Sequence, residues 1–168
     1  GFHVAHEGKV VGFAPGVFDV FHMGHLNILL RAKEHCDYLI VGVVTDERVE
    51  AVKGKTPMMP LDERRELVAA LDLVDEVVVD DSVDKAEMWE KLHFDVIFKG
   101  DDWRGTPKGD QLEAGMTAVG ARVVYFPYTQ HVSSTRLRDL INKANAGETR
   151  VAESPEVETP QTEQAVRD

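Results

Sequence analysis

The chain has 168 residues, of which 43% are apolar and 29% charged, which fits one domain with a single core. The formal net charge of −11 argues against the basic face that duplex nucleic acid needs, so no nucleic-acid partner is expected. The longest apolar stretch, residues 39–44, is too short to cross a bilayer. Cys36 is the single cysteine, which excludes intramolecular disulfides and cysteine-rich zinc sites. Without a secretion-signal pattern, we expect a soluble, cytoplasmic domain with no membrane insertion.

Composition divides the chain into three segments. Residues 1–9 have little apolar periodicity and are predicted to be a lead-in, and residues 10–146 form the folded domain. Residues 147–168 contain six acidic and two basic residues and no Leu, Ile, Phe, Trp or Tyr. Such a segment cannot bury enough apolar surface to offset its chain entropy, so it is predicted to be a disordered acidic tail.

Apolar runs alternate with amphipathic stretches along the domain. The runs predict five buried strands, at residues 10–14, 38–44, 76–79, 95–98 and 122–126. Helical spacing predicts helices along the stripes Leu26-Leu29-Leu30, Leu67-Val68-Leu71, Met88-Trp89-Leu92, Leu112-Met116-Val119 and Leu137-Leu140-Ile141-Ala144. This alternation indicates an α/β fold with a five-stranded parallel sheet and helices on both faces. In such folds ligands bind beyond the carboxyl ends of the strands.

The loop after the first strand contains two closely spaced histidines, in the run from Gly16 to His25. Gly16 is predicted to allow a sharp turn, and Gly24 to leave room for a ligand. His22 and His25 are three residues apart, so both project from one side of a helix that begins near His22. Two imidazoles at a helix N-terminus make an anion site suited to a polyphosphate. Core or capping histidines, or a metal pair, remain the alternatives at this point.

This run resembles the signature of the cytidylyltransferase-like nucleotidyltransferases. The segments Gly100-Asp101-Asp102-Trp103 and Val132-Ser133-Ser134-Thr135 bring it closest to the glycerol-3-phosphate cytidylyltransferases, and the resemblance covers about residues 10–140. It implies a Rossmann-like three-layer α/β/α sandwich and a homodimer. The implied reaction joins the phosphate of a phosphorylated alcohol to the α-phosphate of CTP, releases pyrophosphate and requires Mg²⁺, whose ligands the sequence does not identify.

Candidate phosphate-binding cations lie in the segment that follows the second strand. Thr45, Asp46 and Glu47 are predicted to cap a short helical turn. Lys53 and Lys55, on a glycine-containing loop closed by two prolines, suit phosphate capture, although solvated surface lysines are an equally good interpretation of the pair. Arg64 shares the buried stripe of its helix, so it needs an anion, either a nucleotide phosphate or a carboxylate such as Asp19.

The resemblance adds roles for these residues and for the later loops. It implies that four residues are catalytic through contacts with the phosphates: His22, His25, Lys55 and Arg64. It implies nucleotide binding by Gly16, Val17, Phe18, Asp19, Gly24, Gly100, Asp101, Asp102, Trp103, Tyr128, Thr129, Val132, Ser133, Ser134 and Thr135.

The loops after the fourth and fifth strands carry the remaining evidence. The Trp103 indole can stack on a base and the Asp101 and Asp102 region can accept protons from the amine of cytosine, with an Asp-rich turn and a core-packed Trp as the alternative. In the last loop, Tyr128 and His131 stand where the family pattern has arginine and glycine. A phenol cannot supply bidentate charged hydrogen bonds to phosphate, so another cation, Arg136, Arg104 or His131, replaces it or the acceptor binds differently.

The sequence therefore predicts direct in-line transfer, without a nucleophilic residue of the protein. The acceptor is predicted to be glycerol 3-phosphate or a similar polyol phosphate. The alternatives are an ATP-using enzyme like the FAD synthetases or heptose-phosphate adenylyltransferases, CTP with ribitol phosphate, ethanolamine phosphate or a phosphonate, and a non-catalytic nucleotide-binding module.

Overall fold

The computed structural model of the protein describes residues 8–127. Several predictions concern residues outside this range. They are the first part of the lead-in, the last helical stripe, the acidic tail and the six predicted nucleotide-binding residues Tyr128, Thr129, Val132, Ser133, Ser134 and Thr135.

Five parallel strands form one sheet in the order β3-β2-β1-β4-β5. The strands are β1 (Val11–Gly16), β2 (Tyr38–Val44), β3 (Glu76–Asp80), β4 (Val96–Gly100) and β5 (Arg122–Phe126). All five predicted strands are present, and the predicted bounds of β2 and β5 agree with the structure. The predicted parallel α/β architecture is confirmed.

Helices connect successive strands. They are α1 (Met23–Glu34), α2 (Asp46–Lys53), α3 (Leu61–Ala69), α4 (Lys85–Leu92) and α5 (Pro107–Val119), with a short 3₁₀ turn at Asp101–Trp103. Thr45 caps α2 by accepting a hydrogen bond from the Arg48 amide, as predicted. Gly54 ends α2 in the left-handed region, at φ 79°, which glycine adopts without steric cost.

The helices and the sheet form three layers with two apolar interfaces. Side chains that alternate along each strand point to opposite faces. One face packs against α1 and α3 through residues that include Ala14, Val41 and Phe98, and the other packs against α4 and α5 through residues that include Phe13, Ile40 and Ile97. The Rossmann-like sandwich is therefore built around a sheet that is covered on both sides.

Two predicted stripes are rotated relative to the observed packing. Leu30 on α1 and Leu67 on α3 are 45% and 44% exposed, whereas Leu29 and Val68 are fully buried. Consecutive residues of a helix lie about 100° apart, so burying Leu29 turns Leu30 away from the sheet. The prediction that Leu30 and Leu67 face the core is wrong for this reason.

The strand order positions the candidate site. The chain passes from β1 to β2 and β3 on one side, and then returns to place β4 on the other side of β1. A switch of direction of this kind separates the loops that leave the two neighbouring strands, and it opens a crevice at their carboxyl ends. The loops after β1 and β4 contain the histidines and the Asp-rich turn.

Candidate functional site

The backbone after β1 makes its turn at bulky residues. Phe18 and Val20 have φ values of 54° and 49°, a region that is uncommon for non-glycine residues and unfavourable for a β-branched one. Each such residue costs about 1–3 kcal/mol. Gly16, which was predicted to make the turn, instead allows close packing, because a Cβ there would lie 2.8 Å from the Phe18 ring.

His22 and His25 close the N-terminus of α1 as a reciprocal pair. His22 is the N-cap residue, and its Nδ1 accepts a hydrogen bond from the Gly24 amide at 3.0 Å. The amide of His22 donates to Nδ1 of His25 at 3.2 Å. This is the geometry of a capping box, with imidazoles where Ser or Thr and Glu or Gln usually stand. Capping is therefore one role of both histidines.

The same hydrogen bonds determine which nitrogen carries the proton. An Nδ1 that accepts from an amide must hold a lone pair, so in the neutral ring the proton is on Nε2. Burial, followed by the nearby charges of His22 and Lys53, lowers the pKa of His25 from 6.5 to about 3. The ring centroids of Phe18 and Phe21 lie 5.6 and 5.2 Å from that of His25 and contribute to this burial. His25 is thus neutral at pH 7, with an Nε2–H that can donate to an anion.

The two imidazoles lie side by side, with 4.1 Å between ring centroids. His22 is buried and His25 is half-buried. The geometry brings two N–H donors to the positive end of a helix dipole, next to the carboxyl end of the central strand. Such a pair of donors can hydrogen-bond the oxygens of a phosphate chain.

Asp19 joins this loop to the segment that carries Lys55. Its two carboxylate oxygens accept hydrogen bonds from the amides of Met58 and Met59, at 2.8 and 3.0 Å. Lys55 itself is exposed. Asp19 therefore fixes the loop after α2 against the histidine loop, and the predicted contact of Lys55 with phosphate stays a prediction.

Arg64 is fully buried and its guanidinium is held by protein groups. It donates to the backbone oxygens of Met59, Val17 and Val44, at 2.9, 2.8 and 2.8 Å. It also forms an ion pair with Asp46. The carboxylate alternative considered from the sequence is realised here with Asp46 in place of Asp19. Arg64 positions three loops of the site, and its contact with a triphosphate stays a prediction.

The loop after β4 packs differently from the arrangement expected for a base-stacking site. Asp101 and Asp102 are exposed, whereas Trp103 is half-buried against the α4–α5 face of the core. The Lys99 ammonium lies 3.9 Å from the centroid of the indole ring. The core-packed alternative for Trp103 is therefore realised, and base recognition by Gly100, Asp101, Asp102 and Trp103 stays a prediction.

The structure brings one group of the predicted residues together. Gly16, Val17, Phe18, Asp19, His22, Gly24 and His25 form a continuous loop and helix start, which Arg64 and Asp19 tie to the Lys55 segment. Sequence reasoning missed the Arg64–Asp46 pair as such, because no spacing rule links a residue of one helix to the first turn of another. It also gave no role to Lys99, although a lysine at the end of an apolar strand is an unusual feature.

Two kinds of feature are absent from residues 8–127. No group of three His, Cys, Asp or Glu side chains is arranged to hold a metal ion. No helix in this range is long and apolar enough to cross a membrane.

Comparison with known proteins identifies the family of the chain. Residues 13–140 match a family profile described as Cytidylyltransferase-like. The chain belongs to this family of nucleotidyltransferases. The resemblance noted in the histidine loop is confirmed at the level of the family, and the assignment to the glycerol-3-phosphate branch stays a prediction.

Relatives of the chain include two kinds of protein. The chain is 34% identical over 139 residues to the bifunctional protein HldE of Geobacter metallireducens, covering 82% of this chain and 28% of HldE. It therefore spans little more than a quarter of that relative. The chain is also 34% identical over 136 residues to the FAD synthase of Thermococcus sibiricus, covering 80% of this chain and 92% of that enzyme.

Solved structures share the architecture. A lipopolysaccharide core biosynthesis protein from Thermoplasma volcanium has a TM-score of 0.61 at 25% identity, over 74% of this chain and 99% of that one. The pantoate-beta-alanine ligase of Francisella tularensis has a TM-score of 0.60 at 12% identity, over 95% of this chain and 79% of the ligase. The second similarity concerns the fold alone.

Proposed function

We propose that the protein is a cytidylyltransferase that joins CTP to the phosphate of a small phosphorylated alcohol, glycerol 3-phosphate or a related polyol phosphate. The products are a CDP-alcohol and pyrophosphate. The observation that carries the proposal is the pair of imidazoles that cap α1. His22 and His25 each use Nδ1 for the cap, which leaves their Nε2–H groups at the start of the helix. Membership of the cytidylyltransferase-like family supports the same reaction class.

The proposed step is a direct in-line displacement. An oxygen of the acceptor phosphate forms a bond to the α-phosphorus while the bond to the bridging oxygen breaks and pyrophosphate leaves. Such transfers depend mainly on positioning and on neutralising charge. His22 and His25 donate hydrogen bonds to phosphate oxygens as charge builds, Lys55 approaches the triphosphate from its loop, and Arg64 holds the three loops in register.

Mg²⁺ is proposed to enter the site as part of the nucleotide substrate. Mg²⁺ commonly binds through substrate phosphates and water with only one or two carboxylates, so it needs no cage of protein ligands. When bound, it neutralises charge on the phosphates.

A second candidate is an adenylyltransferase that uses ATP, and one observation favours it. The FAD synthase of Thermococcus sibiricus is matched over 92% of its length, and FAD contains an adenylyl group. The acceptor in such a reaction is again a phosphorylated alcohol, so the transfer chemistry at His22 and His25 is the same. CTP is preferred because of the Gly100-Asp101-Asp102-Trp103 segment, whose two carboxylates are exposed at the end of β4.

Pyrophosphate release tests both candidates in one experiment. Each of the four ribonucleoside triphosphates is paired with glycerol 3-phosphate, ribitol 5-phosphate, ethanolamine phosphate and flavin mononucleotide in the presence of Mg²⁺. We expect the fastest release with CTP and a polyol phosphate. Release with ATP alone would replace CTP by the second candidate. Nucleotide binding without release in every pair would contradict enzymatic transfer and favour a non-catalytic nucleotide-binding module.

A further inference from the structure

A second polar cluster lies at the carboxyl edge of the sheet, on the α4–α5 face. Asp80, the last residue of β3, is fully buried. Its carboxylate accepts hydrogen bonds from the Lys85 ammonium at 2.6 Å, and from the amide and hydroxyl of Ser82 at 2.9 and 2.6 Å. Burial alone would raise the pKa of Asp80, but Lys85 and Ser82 lower it, so the carboxylate is ionised. Lys85 is therefore held in place by a fixed anion.

Lys99, on β4, belongs to the same cluster. Unlike Lys85, it has no carboxylate partner among the described residues. Its ammonium lies over the Trp103 ring, and the Lys108 ammonium lies 5.9 Å from the centroid of the same ring. Within residues 8–127 no acceptor takes a hydrogen bond from Lys99, and no carboxylate there lies within ion-pair distance of it. Burial, assisted by the charge of Lys85, lowers the pKa of Lys99 to about 8.

The cluster has an excess of positive charge in a chain that is strongly acidic overall. Asp80 is engaged with Lys85, and exposed Asp102 is the other nearby carboxylate that acts on Lys99. A half-buried ammonium without a hydrogen-bonded anion is costly, because dehydration is not offset by a partner. An anionic ligand would supply the missing charge.

The backbone of Lys99 lies beside the end of β1, the strand from which the histidine loop leaves. Phe13 of β1 pairs with Ile97 of β4, so Gly16 and Gly100, each three residues further on, end neighbouring strands at the same level. Adjacent strands lie about 4.8 Å apart. The residue before Gly100 is therefore at the edge of the crevice into which the histidine loop opens.

We propose that Lys99, assisted by Lys85, binds the reacting phosphate of the acceptor and so determines that the acceptor is a phosphate monoester. This inference rests on the proposed nucleotidyl transfer. In that reaction a negatively charged phosphate must approach a negatively charged triphosphate. A cation on the acceptor side lowers the repulsion between them. Lys99 would then replace the arginine that the family pattern has at the position of Tyr128.

The test compares acceptor and nucleotide affinity in the full chain. Lys99→Met removes the charge and keeps a similar side-chain length, and Lys91→Met, an exposed lysine on α4, is the matched control. Calorimetric titrations use glycerol 3-phosphate, inorganic phosphate and CTP with Mg²⁺. In Lys99→Met we expect at least a fivefold loss of affinity for the two phosphates, with CTP affinity within twofold of wild type. We expect Lys91→Met to match wild type for all three.

A second measurement reports the location of the bound phosphate. In a Trp89→Phe background the remaining described tryptophan, Trp103, is in contact with Lys99, so phosphate that draws the ammonium away changes the indole emission. We expect this change in the presence of Lys99 and its loss in Lys99→Met. The melting temperature of Lys99→Met should equal or exceed that of wild type, because an unpaired buried charge is removed.

Three results would overturn the proposal. They are a loss of phosphate affinity smaller than fivefold in Lys99→Met, an equal loss for CTP, and a clear fall in melting temperature, which would indicate a structural lysine. These binding readouts do not require turnover. If no pair of substrates releases pyrophosphate, the proposed function fails, while the phosphate titration still decides whether Lys99 forms an anion site.

Discussion

At the scale of single residues, His22 and His25 each use one ring for two purposes. Nδ1 of each ring satisfies an amide at the start of α1, and this bond leaves Nε2 as the proton-bearing nitrogen. Structural and chemical roles are thus located on different atoms of the same side chain. Suitable substitutions can separate them.

His22→Asn is the substitution that separates them at the N-cap. Asparagine is among the best N-cap residues, so its side-chain oxygen can accept the Gly24 amide in place of Nδ1. It has no group at the position of Nε2. We expect stability within about 0.5 kcal/mol of wild type and a fall in kcat of about 10²- to 10³-fold, the usual effect of losing one transition-state donor. Urea unfolding and pyrophosphate release measure the two quantities.

His22→Ala is the matched comparison, because it removes both the cap and the donor. It should lose the same activity and in addition about 1 kcal/mol of stability. Near-normal turnover in His22→Asn would show that the Nε2–H group of His22 does not act on the substrate.

At the scale of elements, Arg64 connects loops that belong to separate units of the fold. Its guanidinium reaches the loop after β1 at Val17, the end of β2 at Val44 and the segment before α3 at Met59. Asp46 at the start of α2 completes its shell. One side chain of α3 therefore sets the relative position of several elements around the site.

Arg64→Met tests this connecting role. The variant leaves three part-buried carbonyl oxygens and the Asp46 carboxylate without their donor, and we expect a loss of about 3–5 kcal/mol in the free energy of unfolding. Arg65→Met changes the neighbouring, exposed arginine and should cost less than about 0.5 kcal/mol. Denaturant unfolding of both variants provides the measurement. Equal stability of the two variants would contradict a structural role for Arg64.

The elements themselves were largely predictable, whereas their rotations were not. Apolar runs such as residues 38–44 predict buried strands because parallel strands are covered on both faces. The stripe of α1 was misjudged at Leu30 because several apolar residues of this helix compete for one buried face. The apolar residues that are buried are those that pack against the sheet, among them Leu29 and Ala32. That choice depends on contacts between distant parts of the chain.

At the scale of the whole molecule, His25 links folding stability to pH. In the unfolded chain this histidine takes up a proton below about pH 6.5, whereas in the folded protein it does so only near its pKa of about 3. The unfolded state therefore binds more protons between these values. The contribution of His25 to stability is complete above pH 6.5 and is lost as the pH falls towards 3, by at most about 1.4 kcal/mol per pH unit.

His25→Gln isolates this contribution. Glutamine is a favourable residue at the third position of a capping box, so it can retain the bond from the His22 amide. We expect the difference in free energy of unfolding between wild type and His25→Gln to decrease from pH 7 to pH 4, measured by urea unfolding at each pH. Parallel curves for the two proteins would contradict a neutral His25 with a lowered pKa.

The candidate site was predictable where its residues are adjacent in sequence and less so elsewhere. The histidine loop carries its own pattern, and Arg64 could be placed inside from the position of Val68. Its partner Asp46 lies on a different helix, and the approach of Lys99 to Lys85 brings together a strand and a separate helix. No local spacing contains that information, because these residues meet only when separate elements pack against each other.

The positive φ angles of Phe18 and Val20 have a consequence for how the protein unfolds on heating or in denaturant. A segment held in an unfavourable conformation relaxes as soon as the contacts that hold it are lost. Here those contacts are the hydrogen bonds of Asp19 and Arg64, which exist only in the folded protein. The histidine loop therefore has no stable intermediate shape of its own. Loss of the proposed activity and loss of the fold should be a single cooperative event, so the protein should keep its function until it unfolds.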